Sequence, residues 1–535
     1  MEDIKQIIDF IAENPTLGIM LIMMAVVFIY STFFSNKPNS KFTAGRIHKT
    51  HEARKYRSSI DDNNIVITKN IALGTDVNKT KNNFIMVIAG SGGGKTTSII
   101  EPNLQRNMTL DKVINDTGDV LENKWHDYYI AHGYRVRVLD LYNFEGDCFN
   151  PLYYIRTRKG RLIKDTHVSF DEEIDDDYID SLLGTLIPKK DKGDDFFDST
   201  TREIAKTLIL LVCYLDEYRE KRNFIEIARL FNLLFTDKDD SGMSELDRKF
   251  EELELQLMKK EGNSVIPHVV LDTSIPASVV VERWKNVQAM VKGSETSDFL
   301  ASVRGSFSVY FTRFLTSNVK RIMEKDSMLL DRIGEKDSRI SWWIKTNESS
   351  RNYDYISSLF YTAVFQMILF NAQKNKNHRL SKDICMFIDE GGSAYVNSFD
   401  TIISTCRKKG LILICCYQSI YSQLETLYGK EKAETIVSNF AIKIYISVDS
   451  SKSQEEFIKL TGQTTIDLKT RSRSSKSEST SLGENIQPLI NVNDLNNMKP
   501  YTAFVLIDGD VYCDRLQHYE KMKEYKKYLK SIENQ

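Results

Sequence analysis

A chain of 535 residues with 41% hydrophobic and 27% charged side chains has the composition of a globular protein, which excludes a disordered or multi-spanning membrane class. The formal net charge of −2 gives no global basic excess, so any nucleic-acid contact must be confined to a patch or a pore. Seven cysteines (148, 213, 385, 406, 415, 416 and 513) lack zinc-ligand spacing and read as buried free thiols of a reducing compartment.

The first element is apolar. From Asn14 to Asn36 no residue is charged, and Leu17–Phe34 is long and apolar enough to cross a bilayer as one helix. Glu2, Asp3, Asp9 and Glu13 precede it, whereas Lys37, Lys41, Arg46, Lys49, Arg54, Lys55 and Arg57 follow. The positive-inside rule therefore predicts a single-pass protein of the cell membrane with the bulk of the chain cytoplasmic. A cleaved signal peptide has a basic start and a small-residue cleavage site, and neither is present. The basic linker that follows is suited to anionic lipid headgroups.

Phe84-Ile85-Met86-Val87-Ile88 reads as a buried strand, followed by Ala89-Gly90-Ser91-Gly92-Gly93-Gly94-Lys95-Thr96 and a helix beginning at Thr97 that Pro102 disturbs. Strand, glycine loop and a helix opening on Lys-Thr is the pattern of a phosphate-binding loop. Backbone N–H groups from Gly90 to Thr97 would converge on phosphate oxygens, Lys95 would reach the β/γ-phosphates, and the Thr96 hydroxyl would help ligate Mg²⁺. Ala89 stands where the simplest pattern has Gly.

Lys112-Val113-Ile114 predicts a short strand ending in the acidic turn Asp116-Thr117-Gly118-Asp119, at the sheet edge where ligands bind in α/β folds. A helix (Leu121–His132) and a strand (Tyr134–Leu141) complete a βαβ rhythm, which predicts a parallel α/β sheet. From about residue 156 strand signals become scarce, and helical spacing recurs in Ile204–Leu215, Phe224–Leu234 and Leu246–Met258. The acidic runs Asp171–Asp177 and Asp194-Asp195 read as solvated faces. Strand character returns at Arg339–Lys345, with a long apolar helix over Tyr355–Ala372.

Ile384–Ile388 is a further buried strand, with Asp389 and Glu390 at its carboxyl end. Beside a phosphate loop, Asp389 would hold the Mg²⁺ shell and Glu390 would polarise the attacking water, which predicts an ATP-hydrolysing enzyme. A helix over Phe399–Lys409 leads through Gly410 to the strand Leu411–Tyr417, whose end presents Gln418 as a γ-phosphate sensor. Arg407 reads either as an arginine finger for a neighbouring subunit or as a cation complementing its helix C-terminus. A helix over Tyr421–Phe440 and a strand over Ala441–Val448 follow. Ser-rich Thr464–Asn485, with Arg471, Arg473 and Lys476, reads as a disordered surface loop or as a basic loop touching DNA phosphates.

From about 84 to 519 the chain resembles the TraG/TraD-type coupling ATPases of conjugation and type IV secretion. The resemblance rests on Gly90–Thr96 with Ile99–Leu104, on Asp116–Asp119, on Gly133-Tyr134-Arg135-Val136 and on Asn150-Pro151-Leu152. It continues through Asp389-Glu390, Arg407-Lys408-Lys409-Gly410, Tyr417-Gln418-Ser419, Gln423-Leu424, Tyr428-Gly429, Ser438-Asn439 and the block from Leu489 to Pro500. It implies a membrane-anchored RecA-like P-loop NTPase with an all-α domain, assembled as a homo-hexamer; with the span and the helical stretch read above, the expected fold is α/β, a RecA-like P-loop NTPase domain with an inserted all-α domain and one N-terminal transmembrane helix. The resemblance also implies ATP and Mg²⁺ as cofactors, and a relaxase with single-stranded DNA as the substrate driven into a secretion channel. The expected divisions are an anchor (1–36), a linker (37–64), the nucleotide-binding domain in two parts (65–155 and 311–518), the all-α insertion (156–310) and a tail (519–535). Departures are the single predicted span where many members have two, and Asp-Thr-Gly-Asp where the family's turn has a Pro-Lys-Gly-Glu core. A motor for double-stranded DNA or for protein export would carry the same catalytic residues. A nucleotide-gated receptor without translocation would have no need of Glu390.

Overall fold

The computed structural model describes residues 45–75, 79–90, 92–189, 195–235, 243–260, 273–293, 297–392, 395–447, 450–474 and 477–533. The expected membrane span, Ser91 and Lys476 lie outside them. The chain divides into two compact units, one of residues up to Ile47 with Ile458–Asn496, the other of His48–Phe457 with Asn497–Gln535.

The larger unit is built on one sheet. Its strands are β1 (Phe84–Ala89), β2 (Asp111–Thr117), β3 (Arg135–Asp140), β4 (Ile340–Thr346), β5 (Ile384–Ile388), β6 (Leu411–Tyr417), β7 (Ile442–Ser447), β8 (Thr502–Ile507) and β9 (Asp510–Arg515). They lie in the order β9-β8-β7-β1-β6-β5-β2-β4-β3. Every pairing from β7 to β3 is parallel, and β8 and β9 close the edge antiparallel. β1, β5 and β6 are buried at every position, as expected of near-continuous apolar runs in a sheet covered on both faces. Alternation sends Ile85, Val87, Ile412, Ile414, Ile442 and Ile444 into one core with Ile99, Leu104 and the Trp125 and Tyr129 rings of helix α1 (Leu121–Ala131).

Between β3 and β4 the chain leaves the sheet for helices α2 (Asp176–Leu186), α3 (Phe196–Tyr214), α4 (Phe224–Leu233), α5 (Glu245–Lys260), α6 (Ser278–Gly293), α7 (Ser297–Phe311) and α8 (Ser317–Met323). Their apolar stripes pack on each other, with α3 buried from Ile204 to Tyr214. The expected solvated acidic run is corrected at Asp175, which is buried, caps α2 through the Asp177 N–H (3.2 Å) and accepts from Arg156 Nε (2.7 Å). The insertion is tied to α9 (Asp354–Gln373) by Thr185 Oγ1 and Thr362 Oγ1 at 2.9 Å and by Gln366 Nε2 donating to Ser181 Oγ at 3.0 Å. Helix α9 is long and apolar enough to cross a membrane, but most of it is buried inside the fold.

After β5 come α10 (Phe399–Cys406), α11 (Ser422–Tyr428) and α12 (Lys430–Asn439), and α13 (Lys523–Glu533) ends the chain. The single helix expected over Tyr421–Phe440 is two helices, because Gly429 at φ +79° takes a conformation that breaks the first.

In the smaller unit the loop expected over Thr464–Asn485 is instead an antiparallel hairpin, Gln463–Ser474 with Ser477–Pro488, paired in continuous register. Ser and Thr lower hydrophobicity without opposing strand formation, so a polar run of this kind hides a ribbon from composition-based reading.

Candidate functional site

The described residues of the glycine-rich loop take the tight turns that such a motif calls for. Gly90 N–H donates to Ser447 O at the end of β7 (2.7 Å), and Gly93 N–H folds back to Gly90 O (3.2 Å). Gly92 and Gly94 have φ +73° and +82°, which only glycine adopts without strain, so the loop can curl around an anion. Lys95 opens the following helix, and Thr96–Ile100 forms a wide π turn continued by Glu101–Leu104. Pro102 stands where the wide π turn gives way to the α-helical segment, so the expected disturbance is a change of helix type and not a break. Thr97 is half-buried directly after Thr96 on the wide turn.

β6 separates β1 from β5, yet the ends of all three strands converge. Thr96 Oγ1 donates to Asp389 Oδ2 at 2.9 Å. Asp389 Oδ1 is buried and takes no hydrogen bond among the described residues. Burial raises the Asp389 pKa above the usual carboxylate range, opposed by the Thr96 hydroxyl, the Lys95 cation and the Cys416 thiol. A buried carboxylate oxygen without a partner, beside a hydroxyl and an ammonium, fits a divalent cation next to phosphate. No group of three or more His, Cys, Asp or Glu among the described residues forms a metal cage of its own. A cation here would therefore draw on Thr96, Asp389 and its ligand's oxygens.

Lys95, Asp389, Glu390 and Gln418 line one cleft of about 70 Å³ together with Arg351, Gly392, Cys416 and Gln423. Gln418 is exposed at the tip of β6, and its N–H is held by Gln423 Oε1 at 2.9 Å. Arg351 comes from the turn after β4 and was not singled out from sequence. Nor was Glu348 in the same turn, whose charge pushes the Asp389 pKa up further. The available signal was the polar run Asn347–Arg351 at the carboxyl end of a parallel strand, the same position that marks Asp389. Arg407 is exposed at the end of α10, donates from Nε to Ser404 O (3.3 Å) and does not line this cleft.

The acidic turn is occupied internally. Asp116 accepts N–H bonds from Val120 (3.1 Å), Leu121 (2.9 Å) and Glu122 (2.9 Å), capping α1. Asp119 pairs with Lys345, which also meets Glu122 (3.3 Å) and Asp140 (3.7 Å). The turn therefore fastens α1 to β4 and β3.

The family model described as type IV secretory system conjugative DNA transfer matches residues 46–534. The unbound monoclinic form of the bacterial conjugative coupling protein TrwBdeltaN70 has a similar fold, with TM-score 0.60 and 14% identity over 90% of this chain and 95% of that one. Plasmid coupling protein TrwB with ADP and Mg²⁺ superposes with TM-score 0.56 at 14% identity, covering 90% and 95% of the two chains. Its complex with the non-hydrolysable ATP analogue ADPNP gives TM-score 0.55 at 13% identity, with the same coverage. No curated protein matches the sequence closely enough to count as a relative.

Proposed function

The chain belongs to the type IV secretory system conjugative DNA transfer family, and we propose that it is a membrane-anchored coupling ATPase that receives a relaxase–DNA substrate and drives single-stranded DNA into a conjugative secretion channel. The observation that carries the hydrolytic part is the Thr96–Asp389 hydrogen bond, with Glu390 lining the same cleft as Lys95. The nucleotides and Mg²⁺ in the TrwB complexes support ATP and Mg²⁺ as cofactors here.

In this reading the loop N–H groups from Gly90 to Thr97 and the Lys95 ammonium hold the β/γ-phosphates. Thr96 and Asp389 hold Mg²⁺, which when bound neutralises phosphate charge. Glu390 takes a proton from the attacking water, Gln418 orients that water or reports the γ-phosphate, and Arg407 reaches a neighbouring subunit's site in a homo-hexamer. The anchor (1–36), linker (37–64), split nucleotide-binding domain (65–155 and 311–518), all-α insertion (156–310) and tail (519–535) are the parts of that machine. The test is an ATPase assay of the full chain with single-stranded DNA, duplex DNA or neither. Stimulation by single strands, abolished in Glu390→Gln, is the expected result. Stimulation by duplex alone would replace the substrate, and turnover unaffected by Glu390→Gln would remove the assigned base.

A further inference from the structure

We propose that a cation-lined cavity of the larger unit holds the phosphate-bearing headgroup of an anionic phospholipid. The proposal rests on the membrane-anchored reading above. The cavity, of about 430 Å³, lies between the turn Thr50–Tyr56, the small hairpin of Asn64–Val66 and Ala72–Gly74, and the stretch Gln517–Glu524.

Its charge is unbalanced. The carboxylates lining it are Asp61 and Glu524, and both are taken. Arg57 meets Asp61 at 2.6 Å, and Arg106 meets Asp61 at 3.2 Å and Glu524 at 2.9 Å. Arg54, Lys69, Lys521 and Lys523 also line the cavity, are exposed, and form no ion pair among the described residues. Arg106 itself is 7% exposed and its Nε has no hydrogen-bond partner among the described residues. Four uncompensated cations around a concavity of ligand size make an anion site.

Two observations favour a lipid over a nucleic acid. Among the described residues no Phe, Tyr or Trp lines the cavity, so bases would find no stacking platform there, whereas Val66, Ile71 and Ala72 give an apolar lining suited to a glycerol backbone. Thr50 also follows Phe34, the end of the predicted span, by only sixteen residues. Even fully extended, that linker reaches about 55 Å, which leaves the cavity within reach of a leaflet whose anionic surface attracts cations.

The test uses the full chain in neutral detergent. Native mass spectrometry measures retention of dioleoyl phosphatidylglycerol, dioleoyl phosphatidylcholine, inorganic phosphate and a single-stranded oligonucleotide, for the wild type and for Arg54→Gln/Lys69→Gln/Lys521→Gln. The wild type should hold phosphatidylglycerol at least about tenfold more tightly than phosphatidylcholine. The triple variant should lose that preference by about fivefold for each cation removed, with oligonucleotide binding and ATPase unchanged. Equal retention of the two lipids, or undiminished phosphatidylglycerol in the variant, overturns the proposal. A variant that loses the oligonucleotide instead assigns the cavity to DNA, and cation-dependent binding of phosphate alone assigns it to a free ion. Release of the wild type from membranes by alkaline carbonate overturns the anchor, and the proposal with it, whatever the lipid selectivity.

Discussion

Asp389 has two oxygens in different surroundings: Oδ2 is occupied by the Thr96 hydroxyl, and Oδ1 is buried without a hydrogen-bond partner among the described residues. If Asp389 holds Mg²⁺ as proposed, Asp389→Asn replaces a ligand oxygen with an amide, and the Mg²⁺ concentration for half-maximal ATPase should rise at least about tenfold. A Mg²⁺ titration checks this. Glu390→Gln should retain a nucleotide analogue while turnover falls by about 10² or more, the usual contribution of a positioned base. Equilibrium binding and steady-state rates separate the two effects. The arginines divide differently, since Arg351 lines the cleft of its own chain and Arg407 does not. If Arg407 acts across a subunit boundary, inactive Arg407→Ala and inactive Lys95→Ala proteins should regain partial ATPase when mixed, and failure to do so would leave Arg407 as a helix-end cation. Thr96, Asp389 and Gln418 were readable from sequence because each follows a conspicuous apolar strand. Arg351 was not, because an arginine in a polar turn carries no local mark of the cleft that the sheet order brings to it.

At the scale of elements, the helix that carries the phosphate loop is held from below. Lys112, fully buried at the start of β2, donates to Leu104 O (2.8 Å) and Arg106 O (2.6 Å), the carbonyls just beyond that helix's last turn. Burial pushes its ammonium down to about 7. Because the folded value lies below the ordinary lysine value of about 10.4, stability should increase as pH rises from about 7 to about 10 and be lost as pH falls through that window. Lys112→Met should remove this slope and, by leaving the carbonyls unpaired, cost about 1–3 kcal/mol; thermal unfolding at the two ends of the window measures both. Strands with apolar runs and helices with regular stripes were readable in advance. The hairpin of Gln463–Ser474 and Ser477–Pro488 was not, since its pairing is cross-strand and its composition resembles a linker. The break at Gly429 was also missed, because a single glycine between two helical patterns does not say which conformation it takes.

Across the whole larger unit, a buried acid clips together the two ends of the chain's helical excursion from the sheet. Asp326, between α8 and β4, accepts from Asn150 N–H (3.0 Å) and Tyr154 O–H (2.6 Å), where the chain first departs for the helices. Burial raises its carboxyl to about 7. A raised value means stability that is full below about pH 4 and lost as pH rises to about 7, and Asp326→Asn should flatten the melting temperature across that interval. The parallel α/β class followed from the βαβ rhythm, but the strand order did not, because among the pairings of β1 to β7 only β5 with β6 joins strands linked by a short crossover. That order also constrains synthesis. β1 pairs with β6 and β7, β2 with β4 and β5, and β3 with β4, so none of β1, β2 and β3 has a partner among the other two. Thr96 and Asp389 are 293 residues apart, which at about 5–20 residues per second means roughly 15–60 s of translation. Throughout that interval β1 is an apolar strand with two open edges, a template for mispairing that the growing chain must keep covered.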